Sequence, residues 1–303
     1  MLVKNKTSIK YFYMLLFSGD TEYKPLISIF FFFIYSVGVL VNSSIITAIY
    51  LNIQLHKPMY LFISNLSIVD IFFTSVTVPK LLHMLLSGDH IVSFSQCYTQ
   101  TYFFMSMGRA EDILLFIMAY DRYVAICIPL HYHQILNQRN CILITIGTWA
   151  AAFLNSLLFV VPTLMSSCHS NIIHQLFCDI KSLTKTTCTT TTMFSEILGI
   201  EILIFVFFPL LSTCISYVNI FSVIFKMKSK ESRRKAFSTC SSHVIIIIIY
   251  YGTGLIGNII PPYSYVLDSV FNIVYATIIP ILNPIIYSLQ NSNVQSALLE
   301  FVK

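Results

Sequence analysis

Asp70, Arg109, Glu111, Asp112 and Glu201 are ionisable side chains deep inside stretches that are mostly apolar. Asp70 and Glu111 are carboxylates at compatible depths. Ser67, Asn42 and Asn283 can add neutral oxygens and amide donors beside them. Such a set either holds a small hydrated cation, Na⁺ in particular, or forms a water-filled polar plug without an ion. Two like charges are hard to bury together unless a cation or a proton neutralises one. Arg109 and Asp112 are three apart and share a helix face, with Glu201 at a similar depth. They either close on one another as an internal ion pair or floor a ligand cavity. In that cavity Arg109 would bind an acid, or Asp112 and Glu201 an amine. Asp121, Arg122 and Tyr123 form the third set. A local pair with Asp121 can hold Arg122, and its release frees five donors for another helix or a partner. Tyr217 and Tyr287 end at a depth from which they can reach it.

These side chains are carried by seven apolar stretches, roughly 26–50, 59–79, 98–126, 141–162, 194–225, 237–261 and 270–289. Each can cross about 30 Å of hydrocarbon as a helix. Of the 303 residues 56% are hydrophobic and only 10% charged, which is too little charge to cover a soluble surface. The stretches are continuous, not alternating, which excludes a β-barrel. The expected fold is an all-α membrane protein: a seven-transmembrane helix bundle with a short amphipathic C-terminal helix. Residues 1–25 form an extracellular N-terminus, 26–290 the bundle, and 291–303 a cytoplasmic tail in which Asn293 caps an apolar face of Val294, Leu298, Phe301 and Val302. Nearly all of the chain is used by helices and tight connections, so no room remains for a catalytic domain. Cys240 and His243, the nearest thing to a reactive pair, more simply pack and hydrogen-bond.

Charge orients the bundle. Lys226, Lys228, Lys230, Arg233, Arg234 and Lys235 crowd one short loop against Glu231 alone. The positive-inside rule puts that loop in the cytoplasm and the N-terminus outside, although Lys4, Lys6 and Lys10 argue the other way. Asn5 heads an Asn-Lys-Thr glycosylation triplet that requires translocation. No cleavable signal is visible, since the run 11–17 is short and interrupted, and the first span is expected to serve as the signal. Of eight cysteines, Cys97, Cys168, Cys178 and Cys188 fall in the outer segments, where oxidation is favoured. Four cysteines allow three pairings. Cys127, Cys141, Cys214 and Cys240 read as free packing residues. Pro209, Pro261, Pro280 and Pro284 break helix hydrogen bonds in or near the spans.

Several strings carry a family resemblance: 58–60 (Pro-Met-Tyr) with Asp70, 118–127 around Asp121-Arg122-Tyr123, 129–132, Ser216-Tyr217, 235–243 and 280–289. Through them the chain resembles the vertebrate odorant receptors among the rhodopsin-like G-protein-coupled receptors, from about residue 15 to 299. The resemblance implies a ciliary or plasma-membrane receptor that binds a small odorant and raises cyclic AMP through a stimulatory, olfactory-type G protein. It implies neither nucleic-acid binding nor enzymatic activity, and no cofactor beyond a structural Na⁺ at Asp70 and Glu111. It implies the pairs Cys97–Cys178 and Cys168–Cys188, and places Arg122 on the G-protein side. Asp121, Tyr123, Tyr217, Asn283, Pro284 and Tyr287 match its signalling positions. Met105, Gly108, Ile202, Phe205, Tyr251, Gly254 and Asn258 match cavity positions, with Tyr251 at the cavity base. Arg109 and Asp112 depart from the family, which usually has small or apolar residues there. Val41 and Gln290 depart too, from a glycine and an arginine. The rivals are a rhodopsin-like receptor for a non-odorant amine or peptide and, from another class, a transporter or channel. A transporter usually shows an internal repeat, and none is visible.

Overall fold

Helix boundaries follow local sequence signals. In the computed structural model, which describes residues 11–15, 22–165, 171–186, 196, 199–259, 265–290 and 294–298, seven long helices carry the chain. They are α1 (Lys24–Leu51), α2 (Pro58–Ser87), α3 (Phe94–Cys127), α4 (Gln138–Met165), α5 (Gly199–Lys226), α6 (Lys230–Ile259) and α7 (residues 265–290). Proline stands in the first turn of α1 and of α2, where its missing N–H costs nothing. Gly88 ends α2 at φ 69°, a left-handed backbone that suits glycine. Ser93 and Gln96 cap each other's backbone at the start of α3.

Six of these helices are by themselves long and apolar enough to cross a membrane. The seventh, α3, has 34 residues and carries Arg109, Glu111, Asp112, Asp121 and Arg122; after it the chain bends by 112° into residues Pro129–Ile135. The outward faces are apolar as well: Phe30, Phe32, Phe33 and Leu40 on α1, and Leu154, Leu157 and Leu158 on α4, are exposed. Such a helix is apolar all round, as lipid requires, and the polar groups turn inward. Residues 294–298 form the described part of a final helix, with Val294 and Ala297 buried.

Each of α5 and α7 contains a wide π turn, Leu203–Phe207 and Val274–Ile278. Each turn stops just short of a proline, Pro209 and Pro280. A proline ring cannot donate and clashes with the carbonyl one turn back, and a π turn gives that carbonyl room. The proline reading of the sequence therefore located two real irregularities.

A small sheet, absent from the all-helical expectation, covers one end of the bundle. β1 (Tyr11–Met14) lies between β2 (Ile91–Ser93) and β3 (Ile172–Ile173). Tyr11 pairs antiparallel with Ser93, and Tyr13 parallel with Ile172. Along β1 the tyrosines face out, while Phe12 and Met14 are buried at 0% and 1% exposure. Phe12 stacks on Phe94 at 5.8 Å. The sheet joins the N-terminal segment to the α2–α3 and α4–α5 connections, so all three share this end. The basic α5–α6 connection lies at the opposite one.

Candidate functional site

The polar groups inside the bundle gather at three levels. Nearest the middle, Asn283 of α7 donates its side-chain amide to Asp70 Oδ1 at 3.1 Å and to Glu111 Oε1 at 3.0 Å. All three residues are 1% exposed. One amide thus bridges two carboxylates and ties α2, α3 and α7 together. The sequence placed these residues in one set, and they do meet. Asn42 completes the tie at α1 by donating to the Pro280 and Gly38 carbonyls at 2.9 and 3.0 Å. Its own Oδ1 is buried with no partner among the described residues. The acceptors here are all oxygen, the ligand type a hard cation prefers. No basic side chain belongs to this cluster among the described residues, so a cation or a proton has to neutralise one of the two carboxylates.

Toward the sheet end, Arg109 stands between two acids. Its Nη1 donates to Asp112 Oδ2 at 2.7 Å, and its Nε lies 2.8 Å from Glu201 Oε1. The second contact is an ion pair without hydrogen-bond alignment, so Glu201 Oε1 receives no aligned donor among the described residues. Asp112 and Glu201 are each 4% exposed. The Arg109 guanidinium also sits 5.7 Å from the Phe205 ring centroid. The closed arrangement of the two read from the sequence is therefore the one present, and it ties α3 to α5.

Beside it lies a tyrosine chain that the sequence reading missed. Tyr275 donates to the Tyr250 hydroxyl at 2.7 Å, and Tyr250 donates to the Gly108 carbonyl at 3.2 Å. The rings of Tyr250 and Tyr251 touch edge to face at 5.2 Å. The Tyr251 hydroxyl is buried and makes no hydrogen bond among the described residues. The chain has 18 tyrosines, and nothing in their spacing marks these two. Met105 is buried, and Gly108 and Gly254 are half-buried. Ile202 corrects the expected cavity list: it is 45% exposed on the outer face of α5. One residue is a rotation of about 100° on a helix, so with Glu201 turned inward its neighbour faces out. The Asn258 side chain, Asn5, Cys168 and Cys188 lie outside the described residues.

At the basic end, Asp121 Oδ1 accepts from the Tyr132 hydroxyl at 2.8 Å, and Asp121 is 1% exposed. The expected local pair is not made: Arg122 and Asp121 form no ion pair among the described residues. Asp121 has taken the phenol that the bend after α3 brings back toward it. Arg122 keeps a buried Nε without a hydrogen bond. Tyr217 does not accept from Arg122 among the described residues. Its hydroxyl lies 2.6 Å from His243 Nδ1 and joins α5 to α6. Tyr287 donates weakly to Met118 Sδ at 3.9 Å. Tyr123 is half-buried, and Pro284 lies inside α7.

At the sheet end Cys97 and Cys178 are joined in a disulfide. Gln100, unremarked in the sequence, braces it. Its amide donates to the Val76 carbonyl at 2.9 Å, and its oxygen accepts from the Cys178 N–H at 2.8 Å.

The family described as "Olfactory receptor" matches residues 31–303. The chain belongs to the olfactory receptor family. Olfactory receptor 1A1 of Pan troglodytes is 39% identical over 300 residues, covering 98% of this chain and 97% of that protein. Olfactory receptor 13F1 of Homo sapiens is 38% identical over 301 residues, covering 98% and 94%. Olfactory receptor 1E16 of Mus musculus is 39% identical over 302 residues, covering 98% and 96%. This olfactory receptor is thus a multi-pass membrane protein of a G-protein-coupled, non-enzymatic family.

Proposed function

We propose that this receptor binds a small, volatile odorant between α3, α5 and α6 and activates a stimulatory, olfactory-type G protein, raising cyclic AMP. The sheet end faces outward and the basic end the cytoplasm, in ciliary or plasma membrane. The observation that carries the reading is the state of Arg122: half-buried at the basic end, its Nε buried without a hydrogen bond among the described residues, and Asp121 engaged by Tyr132. A guanidinium so placed has donors to offer when the helix mouth opens. Mechanistically this is a population shift. A ligand that binds the open-mouthed state more tightly than the closed one moves the equilibrium, and a ligand indifferent to the two moves nothing. The π turns of α5 and α7 are the deformable points in that change.

Two further groups act on the same equilibrium. The basic wall of a hollow of about 570 Å³ between the inner ends of α5 and α6, with Lys230, Arg233 and Arg234, suits the anionic leaflet and an acidic partner face. Asp70, Glu111 and Asn283 would hold a sodium ion, which supplies the positive charge their carboxylates lack. Through these residues, which sit on α2, α3 and α7, a bound ion would favour the closed arrangement.

The test is cyclic-AMP output in cells challenged with a mixture of volatile acids, amines and neutral compounds. Arg122→Ala abolishes ligand-driven output while surface expression persists; an unchanged response rejects the assignment. Asp70→Asn removes the sodium dependence of the response. Wild-type curves that coincide in sodium and in a bulky cation reject the ion site.

A further inference from the structure

The triad at Arg109 has a charge imbalance with a chemical consequence. One guanidinium faces two carboxylates, so the set carries one negative charge too many. Arg109 has spent its aligned Nη1 donor on Asp112 and turned its Nε to Glu201. A ligand carboxylate arriving here would meet a cation already claimed twice, together with two acids that repel it. A ligand cation would meet the reverse. Glu201 Oε1 is buried and receives no aligned hydrogen bond among the described residues. The Tyr251 hydroxyl, on a residue 5% exposed, is also without a hydrogen bond among the described residues, and Asp112 and Arg109 act on it electrostatically. It is a second buried polar group without a hydrogen bond, on another helix.

The walls agree with the charge. Phe205 already presents its ring to a cation. The rings of Tyr250, Tyr251 and Tyr275 stand in contact, with centroids 5.2 and 5.3 Å apart. Aromatic faces around a carboxylate favour ammonium groups. The small Gly108 leaves the backbone carbonyl beside them open to a donor, and Tyr250 already uses it.

We infer that the ligand class of this receptor is a small aliphatic amine bound as its ammonium, with Glu201 and Asp112 as its counter-charges and Tyr251 as an additional acceptor. Acids are excluded by the same groups. The ammonium completes the hydrogen bonding of Glu201 and brings the cluster to neutrality. The inference rests on the odorant-receptor reading and narrows it.

The experiment compares hexylamine, hexanol and hexanoic acid on the full receptor. It reads cyclic AMP in cells and thermal stabilisation of the purified protein in detergent. Hexylamine acts at a concentration roughly tenfold or more below hexanol, as expected for one charge-assisted hydrogen bond, and hexanoic acid is the weakest. In Glu201→Gln the amine advantage over the alcohol collapses, and in Glu201→Asp most of it remains. Surface expression of both variants separates loss of selectivity from loss of folding. An acid preference, equal potency of amine and alcohol, or silence toward all three in both readouts overturns the inference. So does an amine advantage that survives Glu201→Gln and Asp112→Asn. Stabilisation by hexylamine without any cyclic-AMP output supports the inference and counts against the signalling reading instead.

Discussion

His90 is a buried imidazole at the sheet end whose Nδ1 makes no hydrogen bond among the described residues, while its carbonyl accepts from Met14 of β1. Burial, then the positive charge of Lys24, holds it below the usual histidine range, and Asp89 only partly offsets them. The folded state thus keeps His90 neutral where the unfolded chain, with a pKa of about 6.5, would protonate. Stability is full above that value and declines as pH falls through it toward the lower folded pKa. Thermal unfolding of the purified receptor should show this decline, and His90→Gln should flatten it. Gln100 answers to a different measurement. Gln100→Ala strands the Cys178 N–H and should cost about 1–3 kcal/mol, read as a lower midpoint in the same assay. Charges in apolar runs are conspicuous, so Asp70, Arg109, Glu111, Asp112 and Glu201 were legible in the sequence, and they do meet. Hydroxyl and amide partners were not, because which Tyr or Gln finds which carbonyl depends on helix rotation. The same rotation put Ile202 on the wrong side.

Helices α1 and α7 approach closely at Gly38, where an added Cβ would lie 3.0 Å from Ile281 Cγ1. The Asn42 bond to the Pro280 carbonyl crosses the same seam. Gly38→Val should therefore overpack it, costing about 1–3 kcal/mol. A Tm equal to wild type would show that α7 yields freely there. Prolines 209 and 280 announced irregular backbone in α5 and α7, but the π turns that precede them had no signature of their own. They arise from fitting the missing donor and ring into a packed bundle, and that fit is a property of the neighbours.

The bundle as a whole was readable because seven apolar runs admit few arrangements in lipid. The sheet was not, since strands of four, three and two residues gain their meaning from partners far away in the chain. The alternation Tyr-Phe-Tyr-Met at 11–14 was its one visible trace. Phe12, wholly enclosed and stacked on Phe94, gives the measure of that cap. Phe12→Ala should cost about 3–5 kcal/mol, and a loss under 1 kcal/mol would mark the cap as dispensable. β1 has a consequence for biogenesis. It leaves the ribosome first, yet its parallel neighbour β3 is made only after the fourth helix. During that interval β2 can cover one edge of this aromatic ribbon, while the other stays open and ready to pair with the wrong chain. Nascent receptor must therefore be shielded early, and the yield of intact protein depends on how fast the first four helices are threaded.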